Sequence, residues 1–235
     1  MPEAVQTFVD TASVIDVAEK HRIILDGYSA DTNKYATAEP SAKTRACFDS
    51  IPTQLAKESR KFQYKVVRRG GNASMFGGAL EWLSLSGTIE RCTRVSQVES
   101  PLEAFVDMPN FKICLCDTGL LVSKSGAQRA DILSGVGSTY MGAVAENFLL
   151  AAEAYALPIF SGVGSTYMGA VAENSVAQAL SANGYELHYW SHDNRAEVDF
   201  VIERQGRHSA VEVKWGENTR ARSLASLRAN KSGDR

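Results

Sequence analysis

The chain has 235 residues, of which 44% are hydrophobic and 22% are charged, and its formal net charge is −2. This composition is typical of a globular protein with one large domain or two small ones, and it excludes collagen-like, disordered and strongly basic chains. No run of about 18 apolar residues occurs, and no basic segment precedes an apolar run at the N-terminus. We therefore predict neither a membrane span nor a signal peptide.

The cysteines argue against a zinc site or a disulfide framework. Cys47, Cys92, Cys114 and Cys116 form no C-x-x-C pair, and no histidine follows them at zinc-finger spacing. We predict reduced, mostly buried thiols in a cytoplasmic protein. Lys and Arg are concentrated in residues 57–69 and 204–235. Each of these segments is either a solvated face or a surface that contacts phosphate groups.

Residues 1–133 form the first predicted region and are mainly helical. Apolar residues at intervals of three and four predict helices over 1–35, 41–58 and Met75–Leu85. Thr11 or Ser13 is the expected N-cap of the first helix, and Gly87 suits the end of the third. Pro52 predicts a break in the second helix, with Ser50 capping a new one. Two strands are predicted next, over Thr88–Val95 and Phe111–Cys116.

Residues 134–160 contain the first copy of an internal duplication. The sequence SGVGSTYMGAVAEN occurs at Ser134–Asn147 and again, without a mismatch, at Ser161–Asn174. Repeat arrays need about three units, so this pair does not indicate a solenoid. We interpret 134–160 as a duplicated or inserted segment. Glu146 and Glu173 share the same upstream context, but only the second copy continues into a predicted helix that ends at Asn183-Gly184.

Residues 161–235 form the last predicted region, which is centred on a β-hairpin. A helix over Gly169–Ala182 and a strand over Glu186–Trp190 are predicted to precede it. His188 on that strand is expected to be a surface or internally satisfied residue rather than a ligand. A short helix is predicted to follow the hairpin, over Ser223–Arg228.

The hairpin is predicted from period-2 alternation on both sides of Gln205-Gly206, which suits a type I′ turn. One face of the first strand is expected to carry Val198, Phe200 and Ile202. One face of the second is expected to carry Val211, Val213 and Trp215.

The polar faces of the hairpin carry candidate metal ligands. A turn at Gln205-Gly206 places Asp199 opposite Glu212, and Lys214 lies two residues further on the same face. Facing carboxylates repel each other unless a cation lies between them, and Mg²⁺ is usually held by one or two carboxylates with waters and phosphate oxygens. Lys214 would orient or deprotonate a water for metal-assisted phosphodiester hydrolysis. The alternative is a solvated hairpin face with an incidental Glu-Lys pair.

Asp199 followed by Glu212-Val213-Lys214 resembles the core of the PD-(D/E)XK, or restriction-endonuclease-like, nucleases. The longer text AENSVAQALSANGYELHYWSHDNRAEVDFVIE and AVEVKWGENTRARSL is similar to the C-terminal region of prokaryotic AAA-type ATP-binding proteins, whose C-terminal domain is a domain of unknown function. The similarity continues upstream through IPTQLAKESRKFQYKVV, GGALEWLSLSGTIERC and PNFKICLCDTGLL. It covers roughly residues 1–133 and 161–228.

This resemblance implies an α/β fold, α+β overall, in which a helical and winged-helix-like region precedes a restriction-endonuclease-like mixed sheet flanked by helices. It implies that Glu173 joins Asp199, Glu212 and Lys214 as a catalytic residue, with Asp199 and Glu212 holding Mg²⁺ or Mn²⁺. For a DNA substrate, Arg220 and Arg222 are candidate phosphate contacts. On this resemblance the 161–235 region is incomplete at its C-terminus.

The same resemblance places an ATPase core before residue 1, in the same polypeptide. The sequence has no G-x-x-x-x-G-K-[ST] loop, so we expect no ATP site in this chain. Three hypotheses remain open. The chain carries a Mg²⁺-dependent nuclease-type domain acting on DNA, or a non-catalytic module that binds DNA or a protein, or an inactive fragment of the larger protein.

Overall fold

The computed structural model describes residues 2–35, 38–57, 60–125, 165–192, 196–214 and 223–227. The helices are α1 (Pro2–Thr11), α2 (Val14–Tyr35), α3 (Ala38–Leu55), α4 (Tyr64–Val67), α5 (Ala73–Leu85), α6 (Thr118–Lys124) and α7 (Ser165–Ala182). The strands are β1 (Ile89–Val95), β2 (Val106–Leu115), β3 (His188–His192), β4 (Ala196–Arg204) and β5 (Arg207–Val211). A 3-10 helix spans Leu102–Phe105, and residues 223–227 are helical.

The strands form one five-stranded mixed sheet in the order β2-β1-β3-β4-β5. The pair β1–β3 is parallel, and the pairs β1–β2, β3–β4 and β4–β5 are antiparallel. With helices flanking this sheet, the predicted α/β fold is confirmed. The sheet takes two strands from the predicted 1–133 region and three from the predicted 161–235 region. The division into domains and the winged-helix arrangement remain predictions.

The N-terminal helices differ from the prediction in two places. The first predicted helix is two helices. Ala12 has a φ of 49°, which ends α1 at Thr11, and α2 begins at Val14. Ser13 caps α2 as expected, since its Oγ accepts a hydrogen bond from the Asp16 N–H at 3.2 Å. The predicted break at Pro52 was wrong, because α3 runs through it.

Burial explains why α3 continues through Pro52. A proline inside a helix costs about 3 kcal/mol, but Ile51 and Leu55 on either side of it are buried in the core, 0% and 3% exposed. Ser50 does not cap a new helix, and its hydroxyl instead donates to the Cys47 carbonyl at 2.8 Å. Packing of the apolar face therefore overrides the local helix-breaking tendency.

The third predicted helix and both predicted strands of the first region are confirmed. Asn72 caps α5, where its Oδ1 accepts from the Met75 N–H at 3.1 Å, and Gly87 follows the helix with a φ of 67°. Strand β2 is longer than predicted, because it begins at Val106 rather than Phe111.

Helices pack on both faces of the β1–β2 part of the sheet. On one face, Phe111, Ile113 and Leu115 of β2 lie in a buried cluster with side chains of α3 and α5. On the other face, Cys92 and Cys114 cluster with Ala177 of α7. This arrangement places α7 over β1 and β2, where it lies against the predicted site.

Helix α7 is also tied to the edge strand β2 by a buried side-chain amide. Asn174, 0% exposed, accepts from the Leu115 N–H at 2.8 Å and donates to the Leu115 carbonyl at 3.1 Å. One turn later, Gln178 Oε1 accepts from the Thr118 N–H at 2.9 Å, at the start of α6. These bonds satisfy backbone groups that the edge strand and the helix start leave open.

The hairpin is confirmed, but the predicted face of β4 was partly wrong. Arg204 pairs with Arg207, and the turn residues Gln205 and Gly206 have φ values of 52° and 68°, as a type I′ turn requires. His188 pairs with Val201 while Trp190 pairs with Val198, so Asp199 and Phe200 lie opposite the single residue Tyr189. This is a β-bulge, which breaks the period-2 alternation.

The bulge separates residues that were expected to share one face. Val198 and Val201 pack with Trp190 and Leu227, whereas Phe200 packs with Ala177 on the side of α7.

The second strand of the hairpin packs as predicted. Val211 and Val213 lie against the cluster that contains Phe200, and Trp215 lies outside the described residues. The helix predicted near residue 223 is present and contributes Leu224 and Leu227 to the core.

The remaining predictions concern cysteines, membrane spans and the duplicated segment. Cys47, Cys92 and Cys114 are buried free thiols, and Cys116 is a partly exposed one. Within the ranges given above, no helix combines the length and apolar character that crossing a bilayer requires. The predicted insertion at 134–160 lies outside the described residues.

Candidate functional site

A buried lysine lies at the centre of the carboxylates on the sheet. Lys112 of β2 is 1% exposed, and its Nζ lies 2.8 Å from Glu173 Oε1, 2.6 Å from Glu197 Oε1 and 3.8 Å from Asp199 Oδ1. The ammonium also lies 5.0 Å from the centroid of the Tyr189 ring. Three acidic side chains from α7 and β4 therefore converge on one cation.

The alternation of β4 brings two acidic side chains to this position. Val198 packs on the opposite side of the sheet, so Glu197 and Asp199 both face Lys112. The bulge adds Phe200 to the same side. Glu173 approaches from α7 and is 3% exposed. The Asp199 Oδ2 accepts a hydrogen bond from the Val213 N–H at 2.7 Å, which ties β4 to the residues that follow β5.

A second cation, Arg60, reaches the same cluster from the segment after α3. Its guanidinium contacts Glu173 Oε2, so that both oxygens of this carboxylate face a basic group. Gly169 of α7 makes this approach feasible, since a Cβ at that position would lie 2.7 Å from Arg60 Nη2. Two cationic side chains thus face the three carboxylates of Glu173, Glu197 and Asp199.

Glu212 and Lys214 form a neighbouring ion pair beyond the end of β5. Their side chains are in contact, with Glu212 3% exposed and Lys214 39% exposed. Among the described residues, Glu212 Oε2 is buried and has no hydrogen-bond partner. Phe200 pairs with Val211 at the end of the β4–β5 ladder, so the ladder stops one residue before Glu212 and the predicted pairing of Glu212 with Asp199 stays a prediction.

The environment of Asp199 disfavours its ionised form. Burial raises the pKa of the Asp199 carboxyl above its usual value, and the nearby Glu197 raises it further. The Lys112 ammonium, the Val213 N–H and Arg60 act in the opposite direction without cancelling the effect of burial. A carboxylate held in this way gains from any further positive charge placed beside it.

The structure brings the predicted residues together in two adjacent groups. Glu173 and Asp199 share the ammonium of Lys112, while Glu212 and Lys214 pair with each other. The hydrogen bond from Val213 to Asp199 links the two groups. Carboxylate oxygens are the ligands that hard divalent cations prefer, and the Lys214 ammonium beside them is partly exposed. Arg220 and Arg222 lie outside the described residues.

Sequence reasoning missed Lys112, Arg60 and Glu197 as parts of the site. Lys112 left a signal, because it is the single charged residue in the apolar run FKICLC, and a lysine buried in a strand needs an acidic partner. Arg60 lies in the basic segment 57–69 that was considered for phosphate contacts. Its observed partner is a buried carboxylate, which the charge pattern alone does not reveal.

The fold and the site define an α/β protein whose helix-flanked mixed sheet carries a buried cluster of acidic and basic side chains. The chain belongs to a family described as a domain of unknown function, DUF8612, whose model matches residues 1–131. Residues 168–234 match the model of a second domain of unknown function, DUF4143. The expected C-terminal domain of unknown function is thereby confirmed. No curated protein and no solved structure matches the chain.

Proposed function

We propose that the chain carries a nuclease-type site that hydrolyses DNA phosphodiesters with Mg²⁺ or Mn²⁺. The observation that supports this most is the buried Glu212 Oε2, which lacks a hydrogen-bond partner in the described part of the chain. The residue after Glu212, Val213, donates its N–H to the Asp199 carboxylate at 2.7 Å. An orphaned carboxylate oxygen in a segment that contacts a second carboxylate is a favourable environment for a hard divalent cation.

The charge balance of the cluster fits such a cation. Three carboxylates face the two cations Lys112 and Arg60, and the pKa of Asp199 is raised mainly by burial. Asp199 and Glu212 would hold the metal, with Glu173 supporting it or a bound water. When bound, the metal would polarise the phosphoryl oxygen and lower the pKa of a coordinated water.

The remaining steps belong to the protein side chains. Lys214 is 39% exposed next to buried Glu212, so its ammonium is accessible to a substrate phosphate. It would orient the attacking water and stabilise the negative charge that develops on the phosphoryl oxygens. The Val213 N–H fixes the orientation of the Asp199 carboxylate. The products would be a phosphate monoester end and a free hydroxyl end.

Cleavage of supercoiled plasmid and single-stranded DNA tests this function. We expect nicking that requires Mg²⁺ or Mn²⁺ and that falls by about 100-fold in Asp199→Asn, because this variant loses a charged ligand of the proposed metal and even the loss of an outer partner of a ligand costs about 10- to 100-fold. Glu203→Gln on the same strand is the matched control. Glu203 accepts a hydrogen bond from the Ser100 hydroxyl, and it is not one of the carboxylates that face Lys112. Equal nicking by all three proteins would show that the activity does not come from this site.

Lys214→Ala separates binding from chemistry. We expect calorimetry to give the same Mg²⁺ or Mn²⁺ affinity as the unmodified chain, while cleavage is lost. Asp199→Ala is expected to abolish metal binding at the same site. If Lys214→Ala cleaves at the original rate, the role given to this ammonium is wrong.

The resemblance noted in the sequence also places the chain in a larger context. We propose that it acts as the C-terminal part of an AAA-type ATP-binding protein, with DNA as the substrate of the combined protein. Arg220 and Arg222 would contact backbone phosphates. Replacing both with Gln should reduce DNA affinity at low salt and lower the salt dependence of binding, as measured by fluorescence anisotropy.

A non-catalytic binding module is the second candidate, and the contacts of Lys112 and Arg60 favour it. Their cationic groups already neutralise most of the charge on Glu173, Glu197 and Asp199. In that case the ionic cluster is structural, and the chain binds DNA or a protein without cutting it. A gel shift without cleavage under the plasmid conditions would support this function over the nuclease.

A further inference from the structure

We propose that Glu103, Glu186 and His188 form a Zn²⁺ site, separate from the carboxylate cluster around Lys112. One ligand atom from each of the three side chains lies within 4.8 Å of the other two. Glu103 lies on the 3-10 helix before β2, His188 is the first residue of β3, and Glu186 lies two residues before that strand. The site therefore lies on a different part of the sheet from Asp199 and Glu212.

An independent observation is the buried ring nitrogen Nε2 of His188. Its side chain is only 6% exposed, yet among the described residues its Nε2 is buried without a hydrogen-bond partner. The nearest acidic atom is Glu186 Oε2, at 3.7 Å, which is beyond hydrogen-bond distance. Burying a ring nitrogen without a partner is unfavourable, and coordination to a cation would remove that penalty.

The other nitrogen of His188 is already engaged. Nδ1 lies 2.8 Å from Thr93 Oγ1, a contact in which either atom can be the donor, and in the tautomer with the proton on Nδ1 the Nε2 lone pair is available to a metal. Metal-binding histidines usually have their second nitrogen fixed by such a bond. Thr93 is itself paired with His188 across the parallel β1–β3 ladder, so the imidazole is held on rigid backbone.

The two glutamates supply the charge. Both are exposed, and both carboxylates approach the same imidazole from separate segments of the chain. Without a cation these carboxylates repel each other, whereas a divalent ion between them would be attracted to both. One imidazole nitrogen and two carboxylate oxygens favour Zn²⁺ over Mg²⁺, which prefers oxygen ligands alone. Three protein ligands would leave the fourth tetrahedral position to water.

Such an ion would connect the two family-matched regions. Glu103 lies within residues 1–131, and Glu186 and His188 lie within residues 168–234. A metal that binds the folded chain and not the unfolded one stabilises it by mass action. We therefore expect Zn²⁺ to raise the melting temperature as well as to bind.

The test uses the full chain after treatment with a chelator and removal of the chelator. Calorimetry with ZnCl₂ should give about one strong site per chain. Glu103→Gln/Glu186→Gln should weaken it by about tenfold or more, since even the loss of an outer partner of a metal ligand costs about 10- to 100-fold. Both glutamates are exposed, so this double variant should keep the circular dichroism spectrum of the unmodified chain. His188→Ala should show the same loss of affinity.

His208→Ala is the matched control. His208 also lies 3.7 Å from a carboxylate, that of Glu203, but its Nε2 is within 3.1 Å of Ser100 Oγ. We expect this variant to bind Zn²⁺ like the unmodified chain. Co²⁺ used in place of Zn²⁺ should give visible absorption bands without thiolate charge-transfer bands. Unchanged zinc affinity in the double glutamate variant, or thiolate bands with Co²⁺, would overturn the proposal.

Discussion

The ammonium of Lys112 is buried among acidic groups, and this position makes it the most consequential single side chain of the site. Breaking a buried ion pair by removing one partner is destabilising by about 3–5 kcal/mol, because the remaining charge stays desolvated. Lys112→Met leaves Glu197 and Asp199 without their nearest cation. We expect a loss of stability of that size in urea unfolding, and a partial recovery when Mg²⁺ is added.

Lys43→Met provides the comparison for this prediction. Lys43 pairs with Glu39 at 2.8 Å on the surface of α3, and surface pairs contribute about 0–1 kcal/mol. If Lys112→Met changes the free energy of unfolding no more than Lys43→Met does, the buried cluster does not contribute as inferred. Recovery with Mg²⁺ would further indicate that the carboxylates accept a divalent cation.

His21 gives the protein a pH dependence that is separate from the site. Burial lowers the pKa of His21, and the nearby Asp117 offsets only part of this effect. Below a pH of about 6.5 the unfolded chain therefore binds protons that the folded chain does not, and stability falls as the pH falls. We expect the melting temperature of His21→Gln to decline less between neutral and mildly acidic pH than that of the unmodified chain.

The prediction for His21 compares the pH dependence of the melting temperature in His21→Gln with that in the unmodified chain. Burial also lowers the pKa of His188, which therefore adds an acid dependence of its own. That contribution is present in both proteins and cancels in the comparison. Parallel curves of melting temperature against pH would contradict the contribution assigned to His21.

At the residue scale, the sequence predicted the acidic side chains better than their partners. The face of Asp199 followed from alternation, and the turn at Gly206 defined the register of the ladder that ends at Phe200 and Val211. Lys112 is distant in sequence from Asp199, and no local sequence pattern predicts its ion pair with Glu173. Long-range ion pairs depend on tertiary packing, so the local periodicity of a single sequence does not predict them.

At the element scale, the helices and the hairpin followed from periodicity, and the exceptions have physical causes. The α3 helix continues through Pro52 because Ile51 and Leu55 are buried. The bulge at Asp199 and Phe200 breaks the alternation of β4, which a strict period of two cannot predict. The bulge brings Phe200 to the side of α7 that Asp199 already occupies, so the failed prediction lies next to the candidate site.

The packing of α2 against α6 depends on a glycine. A Cβ at Gly119 would lie 2.7 Å from His21 Cε1 and 3.0 Å from Asp117 Oδ1. His21 is 9% exposed and has little room to move. We expect Gly119→Ala to lower the free energy of unfolding by about 1–3 kcal/mol, as overpacked positions do, in urea titration.

Gly77→Ala is the control for that substitution. Gly77 lies inside α5, and nothing lies within 4 Å of the position that its Cβ would take. Alanine in a helix interior is favoured over glycine by about 0.5–1 kcal/mol, so this variant should be more stable. A shift of both alanine variants in the same direction would show that the contact with His21 is not the cause.

At the scale of the whole molecule, the sheet makes residues of the two matched regions interdependent. Strand β1 pairs with β2 on one side and with β3 on the other. The core cluster beneath α7 contains Cys92 and Cys114 from the first region and Ala177 and Phe200 from the second. A chain with shared strands and a shared core is expected to unfold as one cooperative unit.

Phe200→Ala tests that cooperativity. Phe200 is 0% exposed, and truncation of a buried phenylalanine costs about 3–5 kcal/mol. Because β1 pairs with β3 and packs against α5, we expect native-state hydrogen exchange to show an equal loss of protection in α5 and in β3. Leu85→Ala, at a side chain 81% exposed, should change neither. Loss of protection confined to β3, β4 and β5 would mean that the hairpin opens by itself, and the buried carboxylates would then become accessible to a metal without unfolding the rest of the chain.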